Sequence, residues 1–290
     1  MTQIIEGFGA KDLLGISYYF EPIDIDSIVK TPKPGLYEVG RTNRGWYIAQ
    51  QTLHTDKLLP LGGQSAVNRI LTEVRKFLSP RTAEIMKDFN LVHRRGILMY
   101  GPPGSGKTSI INLLINELAK SNNVISFLNP DPGYFAHMGK KIHALNPEQF
   151  MLVVYEDFEN WGDNEALLAL LDGQNSVPNT LYLATTNYFD QLPARIINRP
   201  SRFATKIEVG APSPSVRMEF LKRHIPEKYQ KDIDLNEWVE KTEGLMIDHL
   251  KHIAQYVFVF EYSLEKAVET LRNFTTTELV GDDDDEDDDD

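Results

Sequence analysis

Through the middle of the chain, short apolar runs alternate with stretches whose apolar residues recur every three or four positions. The runs at 96–100, 124–128, 150–155, 180–185 and 205–209 are bounded by turn residues and read as buried strands. Between them, 109–116 and 166–171 read as helices. Upstream, Val67, Ile70, Leu71, Val74 and Phe77 share one face of a helix from about Ser65 to Phe77; Ser79-Pro80 closes it, and a second helix runs to about Phe89. Strands alternating with helices indicate a mostly parallel sheet covered on both faces. From Pro212 onward the period is helical only, at 214–224, 236–242, 248–261 and 264–273, as in a small bundle.

The first part of the chain is patterned weakly. Leu36–Val39 and Trp46–Ala49, joined by Gly40-Arg41-Thr42-Asn43-Arg44-Gly45, read as a β-hairpin after the connector Thr31-Pro32-Lys33-Pro34-Gly35. Tyr18-Tyr19-Phe20 is either core or a contact patch. The expected division is an N-terminal region at 1–58, an α/β domain at 59–211, a helical lid at 212–275 and an acidic tail at 276–290.

Composition narrows the classes. At 290 residues, 41% hydrophobic and 25% charged, the chain has the make-up of a soluble globular protein. It has no cysteine, which excludes disulfides and thiolate metal sites. No apolar run reaches membrane-spanning length, and a cytoplasmic protein is expected. Net charge is −12, but positions 282–290 are nine consecutive carboxylates, and the remainder carries −3. That remainder lacks the basic footprint of a nucleic-acid binder. The tail has no apolar surface with which to fold, so it is expected to be disordered and to suit a basic partner.

The chemistry centres on Gly101-Pro102-Pro103-Gly104-Ser105-Gly106-Lys107-Thr108. These residues fit G-x-x-x-x-G-K-[ST] between a strand and a helix, the context in which that pattern cradles phosphates. Glycines let successive N–H groups face inward, and the following helix adds its own free N–H groups and dipole. Lys107 would reach the β- and γ-phosphates, and the Thr108 hydroxyl would ligate Mg²⁺. The 150–155 strand ends in Glu156-Asp157, an acidic pair suited to holding Mg²⁺ and activating water. Asn187, at the tip of the next strand, is placed to hydrogen-bond the γ-phosphate or that water.

Leu61-Gly62-Gly63, the 95–108 stretch, Leu171-Asp172-Gly173, Ala184-Thr185-Thr186-Asn187 and Arg199-Pro200-Ser201-Arg202-Phe203 occur in this order. Together they resemble an AAA-family ATPase of the protein-remodelling branch, over about residues 58–275. The Glu-then-Asp order is similar to that of the mitochondrial Rieske-protein translocase group, whose membrane anchor has no counterpart in this sequence. The resemblance implies a P-loop NTPase fold with a helical lid, with ATP and Mg²⁺ as cofactors. Leu61, Gly62, Pro103, Gly104, Ser105, Gly106, Lys107, Thr108 and Ser109 would bind nucleotide. Thr108, Glu156 and Asp157 would hold the metal, Glu156 on the metal side and Asp157 on the water side. Arg199 and Arg202 would act as arginine fingers toward a neighbouring subunit, although Ser201 and Ala204 replace the family's Gly and Asp. The resemblance further implies a hexameric homo-oligomer acting on a protein substrate, gripped by a pore loop that aligns with His137-Met138-Gly139 or, alternatively, Tyr134-Phe135. Two other functions share the nucleotide motifs: a DNA-replication accessory ATPase, such as a clamp or helicase loader, and a weakly hydrolysing ATP-gated scaffold.

Overall fold

In the computed structural model the described residues are 4–5, 8–9, 17–20, 32–42, 45–52, 65–121 and 123–277. The N-terminal strands are β1 (Ile4–Ile5), β2 (Phe8–Gly9), β3 (Ser17–Phe20), β4 (Gly35–Thr42) and β5 (Gly45–Gln51). Helices α1 (Ser65–Phe77) and α2 (Pro80–Asp88) lead to β6 (Arg94–Tyr100), α3 (Lys107–Ser121) and β7 (Val124–Leu128). Then come α4 (Pro132–Leu145), β8 (Phe150–Tyr155), α5 (Glu165–Asp172), β9 (Thr180–Thr186), α6 (Ala194–Ile197) and β10 (Thr205–Glu208). The remainder is helical: α7 (Pro214–His224), α8 (Glu227–Gln230), α9 (Leu235–Lys241), α10 (Ile247–Phe258) and α11 (Leu264–Thr277). The α/β reading with a helical C-terminal part and an N-terminal hairpin holds.

Two compact units result. Among the described residues, one comprises those up to 103 together with 107–209, and the other comprises 104–106 and 210–277. In the first, eight strands line up as β10-β6-β9-β8-β7-β4-β5-β3. The five strands from β10 to β7 are parallel throughout. Alternation along them divides two cores. Leu98, Met151, Val153, Tyr155 and Tyr182 face Phe135, Met138 and Ile142 of α4 and Leu167–Leu171 of α5. Ile97, Met99, Leu152, Val154, Leu181 and Leu183 face Ile70, Val74 and Phe77 of α1 and Ile111, Leu114 and Ile115 of α3. A side-chain period of two on a sheet covered on both faces requires this division.

The hairpin does not stand apart from this sheet. β4 pairs in parallel with β7 (Gly35↔Ile125, Tyr37↔Phe127), while β5 runs antiparallel to β4, and β3 antiparallel to β5. The N-terminal strands therefore cover the β7 edge, and β5 and β3 continue the sheet beyond it. In the second unit, Arg217 of α7 is 4% exposed and donates to Pro212 O (2.8 Å) and Val239 O. Trp238 of α9 stacks on Phe258 of α10 at 5.6 Å.

The stretch after β7 departs from the sequence reading. Positions 132–145 form one continuous helix, started by Pro132 and by the Asp131 side chain, which accepts from Tyr134 N–H at 2.8 Å. Met138 and Gly139 lie buried in its middle, and a Cβ on Gly139 would meet Val177 at 2.8 Å. Phe135 is also fully buried. His137-Met138-Gly139 is therefore not a loop, and neither is Tyr134-Phe135. Only residues 129–131 connect β7 to α4, which leaves no room for a projecting aromatic loop there.

Candidate functional site

Parallel strands place their C-terminal ends on one edge, where α/β proteins bind ligands. Lys107 follows β6, Glu156 and Asp157 follow β8, and Asn187 follows β9. The Lys107 ammonium is buried and donates to Gly101 O (2.7 Å), Pro102 O (3.1 Å) and Asn187 Oδ1 (2.6 Å). Asn187 Nδ2 in turn donates to Asp157 Oδ1 at 3.3 Å. One amide thus links the loop lysine to the second carboxylate of the acidic pair. Burial pulls the Lys107 pKa below its ordinary value, and the negative charges of Asp157 and Glu159 oppose that shift.

The first carboxylate has a different partner. The Thr108 hydroxyl donates to Glu156 Oε1 at 2.7 Å, and Glu156 N–H donates to Asn129 Oδ1 at 2.8 Å. Asn129 is a supporting residue that the sequence reading missed; a turn Asn directly after a strand was the available signal. Its φ of 47° and its own N–H, bonded to Val154 O at 2.8 Å, fold it back over the strand tips.

Asp157 has φ 48° and ψ 59°, the left-handed region. Short Asp and Asn side chains visit that region far more readily than Glu does. The order Glu-then-Asp therefore matches the backbone: the position that turns left-handed carries the residue that tolerates it. Asp157 N–H is held by Thr185 Oγ1 at 3.3 Å, and a single 3-10 turn, Phe158–Trp161, follows.

The loop itself fits a polyphosphate. Gly104 and Gly106 have φ of 73° and 100°, and a Cβ added to Gly106 would meet nothing within 4 Å. Ser105 Oγ is buried without a hydrogen-bond partner, an orphan that a phosphate oxygen would satisfy. Among the described residues no three His, Asp or Glu side chains converge on a protein-only metal centre. Mg²⁺ is commonly held by one or two protein oxygens together with phosphate oxygens and water, and the adjacent Thr108 hydroxyl and Glu156 carboxylate are groups of that kind. Pro103 and Gly104 are exposed on this loop, and Thr108 and Ser109 are exposed in the first turn of α3. Leu61 and Gly62 lie outside the described residues, as does the acidic tail from 278.

The two arginines form a separate group. Arg202 donates to Asp172 through both Nε (2.8 Å to Oδ1) and Nη2 (2.7 Å to Oδ2), and through Nη1 to Arg195 O at 3.0 Å. Its side chain is 5% exposed. Arg199 meets the same carboxylate through Nη1 at 2.9 Å, but its side chain is 56% exposed. The Arg202 hydrogen bond, and then the charges of Arg202 and Arg199, hold the Asp172 carboxyl below the usual carboxylate range against its burial. Arg94 secures the same corner, donating to Leu171 O at 2.6 Å and Ser201 O at 3.2 Å. Among the described hydrogen bonds, neither Arg199 nor Arg202 joins the Lys107 group.

Residues 97–211 match the model of the ATPase family associated with various cellular activities (AAA). The chain carries an AAA ATPase domain. A proteasome-activating nucleotidase of Methanococcus vannielii is 27% identical over 93% of this chain and 71% of its own length. The cell division cycle protein 48 homolog of Archaeoglobus fulgidus is 28% identical over 64% of this chain and 28% of its own. The ATP-dependent zinc metalloprotease FtsH 2 of a Thermoanaerobacter strain is 30% identical over 54% of this chain and 34% of its own. Another nucleotidase, from Archaeoglobus fulgidus, is matched over 53% of its length, so the AAA chain spans only part of these relatives. Among the described residues no helix is long and apolar enough to cross a membrane.

Proposed function

We propose that this AAA chain is a Mg²⁺-dependent ATPase that assembles head-to-tail into a ring, hexameric in the family it resembles, and uses turnover to remodel, unfold or disassemble a protein. The observation that carries this reading is the linked set at the strand tips. Lys107 is held by Gly101 O, Pro102 O and Asn187, Asn187 is bonded to Asp157, and Thr108 is bonded to Glu156. Bound MgATP would supply the phosphoryl group for transfer to water and the metal charge that offsets the phosphates. Lys107 would hold the oxygens of the terminal phosphates, and Glu156 with Thr108 would form the metal-side surface. Asp157, oriented by Asn187, orients the water and takes its proton at a carboxylate oxygen.

Arg199 is assigned as the finger that reaches a neighbour, because its head is exposed. Arg202 is assigned to hold the 199–203 segment in place through Asp172. A guanidinium supplied in trans makes turnover depend on assembly. Gripping substrate with a loop between β7 and α4 does not belong to this reading, since three residues span that gap.

The test is ATP turnover per chain across protein concentration, for the wild type and Arg199→Ala. Specific activity should rise with concentration in the wild type. It should collapse in the variant at every concentration while nucleotide binding persists. Turnover that is independent of concentration and indifferent to Arg199 would overturn the assignment.

A further inference from the structure

The exposed face of α4 takes no part in the nucleotide site. Residues four apart stack along a helix, so Gly133, His137 and Lys141 form one row and Ala136, Lys140 and Ala144 form the next. With Asn175 these rows line an open cleft of about 510 Å³. Gly133, Ala136 and Ala144 make its floor small enough for an extended backbone to lie close to the helix. Lys140 and Lys141 give it one sign of charge, and no carboxylate lines it. Arg41 of β4 adds a third cation, its guanidinium 5.2 Å over the Trp46 ring, which itself packs on the His137 ring at 4.5 Å. His137 registers this field: burial first, then Lys141, Arg41 and Lys140, push its pKa below the ordinary value.

The chain also carries the complement of this cleft. Positions 282–290 are nine carboxylates in succession, and the rest of the sequence is close to neutral. We propose that the α4 cleft docks the acidic segment 282–290 of a second copy of this chain, held by Lys140, Lys141 and Arg41. The lengths agree. From Gly133 to Ala144 the helix rises about 16 Å, which about five extended residues cover at roughly 3.3 Å each. Nine carboxylates therefore fill the cleft in several registers. The exchange is heterologous: each copy gives one segment and receives one, so a closed ring leaves neither unpaired. This last step rests on the head-to-tail assembly proposed above, whereas the pairing of segment and cleft does not.

Two arms test the proposal on the full chain. In the first, isotope-labelled and unlabelled copies are mixed and treated with a carbodiimide, which joins carboxylates to touching lysines, and the products are read by mass spectrometry. Mixed-isotope links from 282–290 to Lys140 or Lys141 are expected, falling about tenfold between about 50 mM and 500 mM salt as screening shortens the reach of the charges. In the second, a fluorescent peptide of sequence 282–290 is titrated into the full chain whose own tail carboxylates have been changed to amides. Lys140→Glu combined with Lys141→Glu should weaken peptide binding by about tenfold or more, the sum of two exposed pairs turned repulsive. Peptide binding that ignores this double substitution overturns the proposal, as does tighter binding of a single-stranded oligonucleotide of equal charge. Peptide binding as expected, without mixed-isotope links, keeps the cleft assignment and refutes the exchange between copies.

Discussion

Arg199 and Arg202 share one carboxylate, yet their substitution should produce opposite phenotypes. Arg202 is 5% exposed and makes a two-pronged contact with Asp172. Breaking a buried, hydrogen-bonded pair by removing one partner costs about 3–5 kcal/mol. Arg199 remains beside Asp172 in an Arg202→Ala variant, which places the cost near the lower end. For an α/β unit of this size, 1 kcal/mol moves Tm by about 2–4 °C, so Arg202→Ala should lower Tm by about 6–12 °C. The pair made by Arg199 is 56% exposed on the arginine side and is worth about 0–1 kcal/mol, a Tm change of less than about 4 °C. Turnover should rank the other way for the folded protein. A finger in trans supplies about 10³–10⁵ in rate, so Arg199→Ala should lose at least about a thousandfold while binding nucleotide normally. Scanning calorimetry, single-turnover ATP hydrolysis and nucleotide titration on both variants decide the matter. Arg202→Lys is the control: it restores charge without the planar fork and should recover only part of the lost Tm. If Arg199→Ala turns over within a few-fold of wild type, or Arg202→Ala melts at the wild-type temperature, the division of labour argued here is wrong.

Three further outcomes are expected. Gly96→Ala should unfold or severely destabilise the first unit, because its Cβ would lie 1.7 Å from Arg202 O, and the cost should exceed the usual 1–3 kcal/mol of overpacking; a denaturant midpoint measures it. Asn187→Ala should leave ATP affinity within a few-fold and cut kcat by about 10²-fold or more, because Asp157 loses its bond from the amide while Lys107 keeps Gly101 O and Pro102 O; an unchanged kcat would remove Asn187 from the mechanism. The Asp172 carboxyl is held below the usual range in the folded chain, so its contribution to stability is full above the unfolded carboxylate value of about 3.9 and is lost as pH falls below that, through its lower folded value. In Asp172→Asn that part of the acid-induced loss should disappear, as a pH series of Tm would show.

Most of the sheet was legible because its strands are buried on both faces. A strand covered twice has to be apolar at nearly every position, and 150–155 and 180–186 announce themselves without any knowledge of the fold. The phosphate loop was legible for a related reason: its glycines answer a backbone demand that few other residues meet, so the pattern is strict. The arginine corner was half legible. The resemblance implied two fingers, but which of the arginines is buried depends on Asp172, 27 and 30 residues away in the chain, and spacing carries no trace of that contact. The helix at 132–145 was missed for a local reason. Pro130, Pro132 and Gly133 look like a turn, yet Pro132 stands in the first turn of the helix and Asp131 caps it, so residue types that usually interrupt a helix are here its start signal. The place of the hairpin was not legible at all. Its alternation showed two paired strands, but the parallel pairing of β4 with β7 joins segments about 90 residues apart, and edge pairing leaves no mark in sequence period.

That last pairing bears on how the nucleotide site connects to the rest of the sheet. The sheet edge at β7, next to the strand that carries Glu156 and Asp157, is covered by the chain's own N-terminal strands. Trp46 of β5 then packs against Tyr134 at 4.9 Å and His137 at 4.5 Å on α4. The helix that leaves no room for a gripping loop is thus the one clamped to the N-terminal hairpin. A displacement at the β8 tip passes to β7 through five paired residues, and from there to β4 through three. It reaches the hairpin by main-chain hydrogen bonds in a packed sheet, which transmits strain because it cannot deform piecemeal. A change at the nucleotide site is therefore expected to reach the N-terminal strands and α4 together, through the sheet.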